Sequence, residues 1–355
     1  MPDMVTILRT AVQRGSSDIH ICVNKPPMMR LNGEIVPVID GAPPLTAEQA
    51  KALIFSTLYD EQRAKFEKDW ELDCSFAVTG VSRFRLNVLM ARNGAEAVMR
   101  VIPSVIPTPE QLKLPPAVVG LASIPKGLVL VTGPTGSGKS TTLAALIDQI
   151  NNKRKGHILT VEDPIEFTYE AKSCVVRQRE VGQHTRSFSN ALRAALREDP
   201  NVILVGEMRD LETIQLTITA AETGHLTFAT LHTQDAPSTV DRIIDVFPPH
   251  QQTQVRVQLA ASLQGVVSQI LLPRKDGKGR VAAREIMIMT PAISNLIREG
   301  KTHMIYSAIE TGGKFGMVPM DKALAALVLS NQISFEVADA KAHNKEGFKK
   351  LCNMA

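Results

Sequence analysis

Residues 133–141 carry the chain's clearest chemistry: Gly133, Pro134, Thr135, Gly136, Ser137, Gly138, Lys139, Ser140 and Thr141. Their spacing is G-x-x-x-x-G-K-[ST], set between an apolar run, LVLVT, and a stretch of helical period, TTLAAL. Glycines let successive backbone N–H groups curl around an anion with no Cβ in the way. A helix start adds unpaired donors and the positive end of its dipole. This arrangement suits the phosphates of a nucleoside triphosphate. Lys139 is expected to reach the β- and γ-phosphates and Ser140 to ligate Mg²⁺. No N-K-x-D guanine reader occurs: Asn24-Lys25 runs into two prolines and Asn344-Lys345 into Glu-Gly, so ATP is expected rather than GTP.

Two acidic segments follow. HILTV at 157–161 reads as a strand and runs into Glu162-Asp163-Pro164-Ile165-Glu166. The C-terminal ends of parallel strands face the ligand crevice, where clustered carboxylates can hold and orient a water. The alternative is a surface acidic turn, since Asp-Pro is a good turn former. VILV at 202–205 is a second buried strand, but its first acid, Glu207, stands one residue beyond Gly206. The longer glutamate side chain can still reach Mg²⁺ through a water, and Asp210 is the better candidate to cap the next helix. TGHLTFATLHT places His225 just before a strand and His232 just after it. Each is read either as a γ-phosphate sensor or as an ordinary hydrogen-bonded histidine.

These loops need strands and helices to hold them. At 355 residues two domains are expected. PSVIPTPEQLKLPP (103–116) carries five prolines and reads as a semi-rigid linker. Residues 1–102 read as a small α+β domain. A helix spans Val5, Leu8 and Val12, a strand lies near 17–23, a hairpin turns at Asn32–Gly33, and Thr46 caps a helix bearing Ile54 and Leu58. Three alternating segments then form an antiparallel sheet with helices on one side. Residues 117–355 alternate strand and helix, with strands at 128–132, 157–161, 202–205 and 226–230, the pattern of a mostly parallel α/β core. Beyond Pro248 the reading is helical, interrupted only by a strand at 281–289, with final helices near 291–299, 302–311, 320–330 and 335–343.

Composition narrows the class. A net charge of +4 is too small to imply nucleic acid by itself. Cys22, Cys74, Cys174 and Cys352 form no C-x-x-C pair, which argues against a zinc ribbon or redox couple. The N-terminus is too polar for a signal peptide, and no run approaches the ~18 apolar residues of a membrane span. A cytoplasmic protein is expected, linked to any membrane through a partner.

GPTGSGKST, VEDPIEF, ILVGEMRD and TGHLTFATLHT, in this order, resemble the Walker A, Asp box, atypical Walker B and His box of the secretion and type IV pilus ATPases. The likeness extends to GSSDIHI, PPMMRLNGE and PAISNLIREG, though Ser294 stands where the last box has arginine. With no paired C-x-x-C element and no long extra N-terminal domain, the chain looks like the retraction branch of twitching motility. The resemblance implies a PAS-like N-terminal domain, a RecA-like P-loop core with a helical C-terminal region, and a homohexamer with ATP and Mg²⁺ between protomers. By matching position, Glu166 is the catalytic glutamate, supported by Glu162, Glu207 is the Walker B glutamate, and His225 and His232 are the His-box histidines.

The resemblance further implies that arginines of the small domain close onto the phosphates, with the Pro-rich linker as hinge. Arg83, Arg85 and Arg100 are the candidates, and Arg85 with Arg100 is the preferred pair. Arg193, Arg197 and Arg209 remain unranked for action across a subunit interface. The implied partner is an inner-membrane pilus platform protein, which puts the motor at the inner face of that membrane. Two other readings stand beside this one: an assembly or type II secretion ATPase of the same superfamily, and a nucleic-acid translocase on a RecA-like core. Against the translocase, aromatic content is only 4% and the basic residues form no stripe.

Overall fold

Alternation between residues 71 and 102 sends Leu72, Phe84, Leu86, Val88, Ala97 and Met99 into a core and leaves their neighbours on the opposite face. The computed structural model describes residues 2–31, 33–102 and 105–353. Asn32 of the expected hairpin turn, and Pro103 and Ser104 of the Pro-rich stretch, lie outside them. The chain divides into two units, Met1–Val105 and Ile106–Ala355.

The first unit runs α1 (Met4–Gln13), β1 (Asp18–Ile21), β2 (Met28–Leu31), β3 (Glu34–Pro37), α2 (Ala47–Phe55), α3 (Asp60–Asp69), β4 (Glu71–Val78), β5 (Ser82–Ala91) and β6 (Gly94–Ile102). Its strands form one antiparallel sheet in the order β3-β2-β1-β6-β5-β4. Ile7 and Leu8 of α1 and Ile54 of α2 share the core with the sheet's buried face. Thr46 and Gln49 close α2 with a reciprocal capping box. Leu58 lies past the end of α2 but reaches the same core. The sequence reading passed over α3, DEQRAKFEKD, because it buries only Phe66 and so shows no apolar period.

The second unit contains α4 (Pro116–Leu121), β7 (Gly127–Thr132), α5 (Lys139–Lys153), β8 (His157–Glu162), β9 (Val175–Glu180), α6 (Phe188–Ala195), β10 (Val202–Val205), α7 (Leu211–Glu222), β11 (Leu226–Leu231), α8 (Ala236–Asp245), α9 (Pro249–Ser262), β12 (Leu263–Pro273), β13 (Arg280–Ile288), α10 (Pro291–Arg298), α11 (Ile305–Thr311), α12 (Met320–Leu329), α13 (Phe335–Asp339) and α14 (Lys345–Leu351). The sheet order is β13-β12-β7-β11-β10-β8-β9, parallel throughout except for β13. Leu128 and Leu130 face α7–α10, whereas Val129 and Val131 face α4 and α5, so helices cover both sides. Phe335 and Phe348 stack at 5.5 Å within the C-terminal helical layer.

Three features correct the sequence reading. Residues 263–273 are strand, not helix: α9 stops at Ser262 and β12 begins at the next residue, with no turn residue between to mark the change. Residues 175–180, unassigned from sequence, form the edge strand β9. Residues 106–116 do not stand free as a linker. Ile106, Leu112 and Leu114 pack into the core of the second unit, Thr108 and Gln111 bond each other reciprocally at 2.9 and 3.3 Å, and Arg284 donates to the Leu112 carbonyl at 3.3 Å.

Candidate active site

β7 delivers the chain to Gly133, and α5 takes it up at Lys139. Between them the backbone turns through positive φ at Gly133, Gly136 and Gly138. A Cβ at Gly133 would stand 2.1 Å from the Gln269 carbonyl oxygen, so the loop's entry is closed to any side chain. Lys139 folds over the loop and donates from Nζ to the carbonyls of Gly133 (2.8 Å) and Pro134 (3.1 Å). Burial holds its ammonium below the ordinary lysine range, an effect that the carboxylates of Glu166 and Glu207 offset only in part. Both acids therefore share the field of Lys139. Pro134, Thr135 and Gly136 are exposed, and Ser140 and Thr141 are half-buried in the first turn of α5. A glycine-lined cradle with a lysine ammonium poised over it fits a polyphosphate.

The acidic turn at the end of β8 is built from within. Glu162 is buried, accepting from Thr160 Oγ1 (2.7 Å), Gln178 Nε2 (3.3 Å) and the Glu166 amide (3.4 Å). Burial outweighs these bonds and raises its carboxyl to about 7. Glu166 is exposed on the same turn. β9 braces this turn: Glu180 accepts the Ile165 amide at 3.0 Å, and Gln178 both donates to Phe167 O (2.8 Å) and accepts from the Tyr169 amide (2.8 Å).

Gly206 explains why the next acid is displaced. A Cβ there would meet the Glu162 Cα at 3.2 Å, so the position holds no side chain comfortably and the carboxylate falls to Glu207. Thr230 Oγ1 donates to the Gly206 carbonyl and the Met208 amide bonds Thr230 O at 3.1 Å, tying this loop to β11. Glu207 pairs with Arg209 at 2.7 Å and lies 3.5 Å from His232 Nε2. Capping of α7 belongs to Asp210, which accepts from the Thr213 amide at 2.9 Å.

Of the two histidines, only His232 joins this group. β11 runs parallel to β7 from Leu226 opposite Gly127 to Leu231 opposite Thr132, which puts His225 at the far end of the sheet from Gly133 of the same chain. Six residues of strand are roughly 20 Å, and there His225 Nδ1 bonds Ala220 O at 2.9 Å and Thr223 Oγ1 at 3.2 Å. Arg193 pairs with Glu212 on α7, and Arg197 is exposed.

In the first unit, Arg85 and Arg100 are directly opposite each other on β5 and β6, on the sheet face that α1 and α2 leave open. Asp18 stands opposite Arg100 on the other side and accepts from its Nε at 2.9 Å. Burial pushes Asp18 up, but bonds from Arg100 and Ser17 outweigh it and hold the carboxyl below its usual range. Arg83 donates to Ser75 Oγ at 2.6 Å.

The sequence reading missed Gln269 of β12 entirely. Its buried carboxamide donates to Ser137 O at 2.7 Å and accepts from Thr142 Oγ1 at 2.9 Å. The signal was present as a polar pair, Ser268-Gln269, inside the apolar run VVSQILL. Ser294, the departure from the resembled box, donates to Ala260 O at 3.0 Å and so joins α10 to the end of α9.

A family model described as Type II/IV secretion system protein matches residues 2–315. The chain is 53% identical over 346 residues to the type IV pilus retraction ATPase PilT of Pseudomonas aeruginosa, covering 98% of this chain and 100% of that one. It is 49% identical to a twitching motility protein of Neisseria gonorrhoeae, with 97% and 91% covered. Among solved structures, a crystal structure of the pilus retraction motor PilT with bound ADP superposes with a TM-score of 0.92 at 45% identity, covering 99% of this chain and all of that one.

Proposed function

The chain belongs to the type II/IV secretion system protein family, and from that premise we propose that it is an ATP-hydrolysing motor driving type IV pilus retraction. The observation that carries this is the phosphate loop at Gly133–Thr141, with Lys139, Glu166 and Glu207 in one electrostatic neighbourhood, in a chain nearly coextensive with retraction ATPases.

In this mechanism the loop N–H groups and Lys139 hold the phosphates of ATP. The Ser140 hydroxyl, directly, and Glu207, through a water, are the groups that would hold Mg²⁺, which neutralises phosphate charge when bound. Glu166, exposed at the mouth of the turn, orients and deprotonates the attacking water, and buried Glu162 fixes the backbone from which Glu166 projects. His232 holds Glu207 in place. Arg85 and Arg100 answer the phosphate charge from the small unit, and relaxation after cleavage gives the stroke. We assign the working form to a ring of six chains acting on a platform protein at the inner face of the inner membrane. No helix among the described residues is long and apolar enough to cross a membrane itself.

A chromosomal Lys139→Ala allele tests the direction of work. Its expected phenotype is abundant surface pili that never shorten, with twitching abolished. Bald cells would instead assign the chain to pilus assembly.

A further inference from the structure

We propose that Gln269 is a positioning residue that shapes the phosphate loop and thereby sets nucleotide affinity. The inference rests on the nucleotide-site reading above. Gln269 is 1% exposed on β12 and touches the loop in several places. Its backbone oxygen fills the space beside Gly133, its Nε2 donates to Ser137 O at 2.7 Å and lies 3.2 Å from where a Gly138 Cβ would stand, and its Oε1 accepts from Thr142 Oγ1 at 2.9 Å in the first turn of α5.

The physical need is orientation. Loop N–H groups that converge on an anion repel one another when the anion is gone, so an unbraced loop relaxes and must be rebuilt at each binding event. In a trans peptide the C=O and the following N–H point in opposite directions. Holding the Ser137 carbonyl toward β12 therefore turns the Gly138 N–H away from β12. The same carboxamide fixes that peptide relative to α5 through Thr142. A neutral amide suits the place because it donates and accepts at once, whereas a carboxylate only accepts and an ammonium only donates. One strand-residue earlier, Thr132 Oγ1 and Ser268 Oγ bond at 2.8 Å, both fully buried, which pins β12 to the residue that leads into the loop.

The test uses the full-length protein, with ADP and Mg²⁺ as the probe in calorimetry and ATP in steady-state kinetics. Gln269→Glu keeps the shape and the acceptor but loses the donor to Ser137. Thr142→Val loses the hydroxyl and Thr142→Ser keeps it. Gln269→Glu is expected to weaken ADP about tenfold or more, and to raise the KM for ATP by a larger factor than it lowers kcat. Thr142→Val should weaken ADP in the same direction and Thr142→Ser should restore it, a rescue that loss of general stability does not produce. If Gln269→Glu fails to fold, the Thr142 pair decides. Wild-type affinity in Gln269→Glu and in Thr142→Val overturns the inference. Failure of the wild-type protein itself to bind ADP overturns the nucleotide-site reading instead.

Discussion

Glu166 is exposed and Glu162 is buried, although one short turn holds both. That difference in solvent suits two like residues to different roles. An exposed carboxylate beside the field of Lys139 can reach a water, so Glu166→Gln should leave ATP bound while slowing cleavage by about 10²-fold or more; single-turnover assays with labelled ATP decide it, and near-normal cleavage would move the base elsewhere. Glu162 makes a different prediction. Its folded carboxyl, at about 7, stands above its ordinary 4.5, so the fold holds that proton more tightly than the unfolded chain does. Its contribution to stability is complete below pH 4.5 and is lost as pH rises through about 7, a change on the order of 3 kcal/mol. Glu162→Gln, which stays neutral, should therefore gain on wild type as pH is raised from about 5 to about 8 in chemical denaturation. Glu285, also raised to about 7 by burial, is present in both proteins and cancels in the comparison. A pH-independent difference between the two proteins would show that Glu162 is not the titrating group.

Each of the two loops that matter most is braced by a strand that sequence patterning did not reveal. β9 supplies Gln178 and Glu180 to the acidic turn, and β12 supplies Gln269 to the phosphate loop. The central strands β7, β8, β10 and β11 were legible because each is a short apolar run closed by glycine, proline or a polar turn, and the boxes at their C-terminal ends inherited that clarity. β9 carries Arg177, Arg179 and Glu180 in six residues, since an edge strand is not enclosed on both sides and tolerates charge. β12 hides differently: LAAS closes α9 and LQGVV opens the strand with no breaker between, and alanine and leucine serve either period. The same limits explain His225. Its place before the strand was legible, but only the parallel register of β11 with β7 shows that this end lies away from Gly133. Positions held by hydrogen bonds to a distant strand, such as Gln269, leave no local period, and their trace is a polar residue where an apolar one is expected.

At the scale of the whole molecule, each unit has a core of its own, so neither needs the other to bury its apolar residues. The open face of the first unit's sheet carries a row of charge. Arg30, Asp18, Arg100, Arg85 and Ser75 lie in one register row across five strands, with a single carboxylate among three guanidiniums. Like charges directly opposite each other, as Arg85 and Arg100 are, destabilise a sheet by up to about 1 kcal/mol. Asp18 is engaged with Arg100 through one oxygen and with Ser17 through the other. An arrangement that weakens its own unit makes sense if a polyanion completes it during turnover. Arg85→Gln should therefore leave the unfolding midpoint unchanged or raise it, while lowering kcat about 10²-fold at saturating ATP. Thermal melts and ATPase assays on the same preparation measure both. A variant that melts early has lost a structural arginine, and one that melts late but hydrolyses normally shows that the row serves something other than the phosphates.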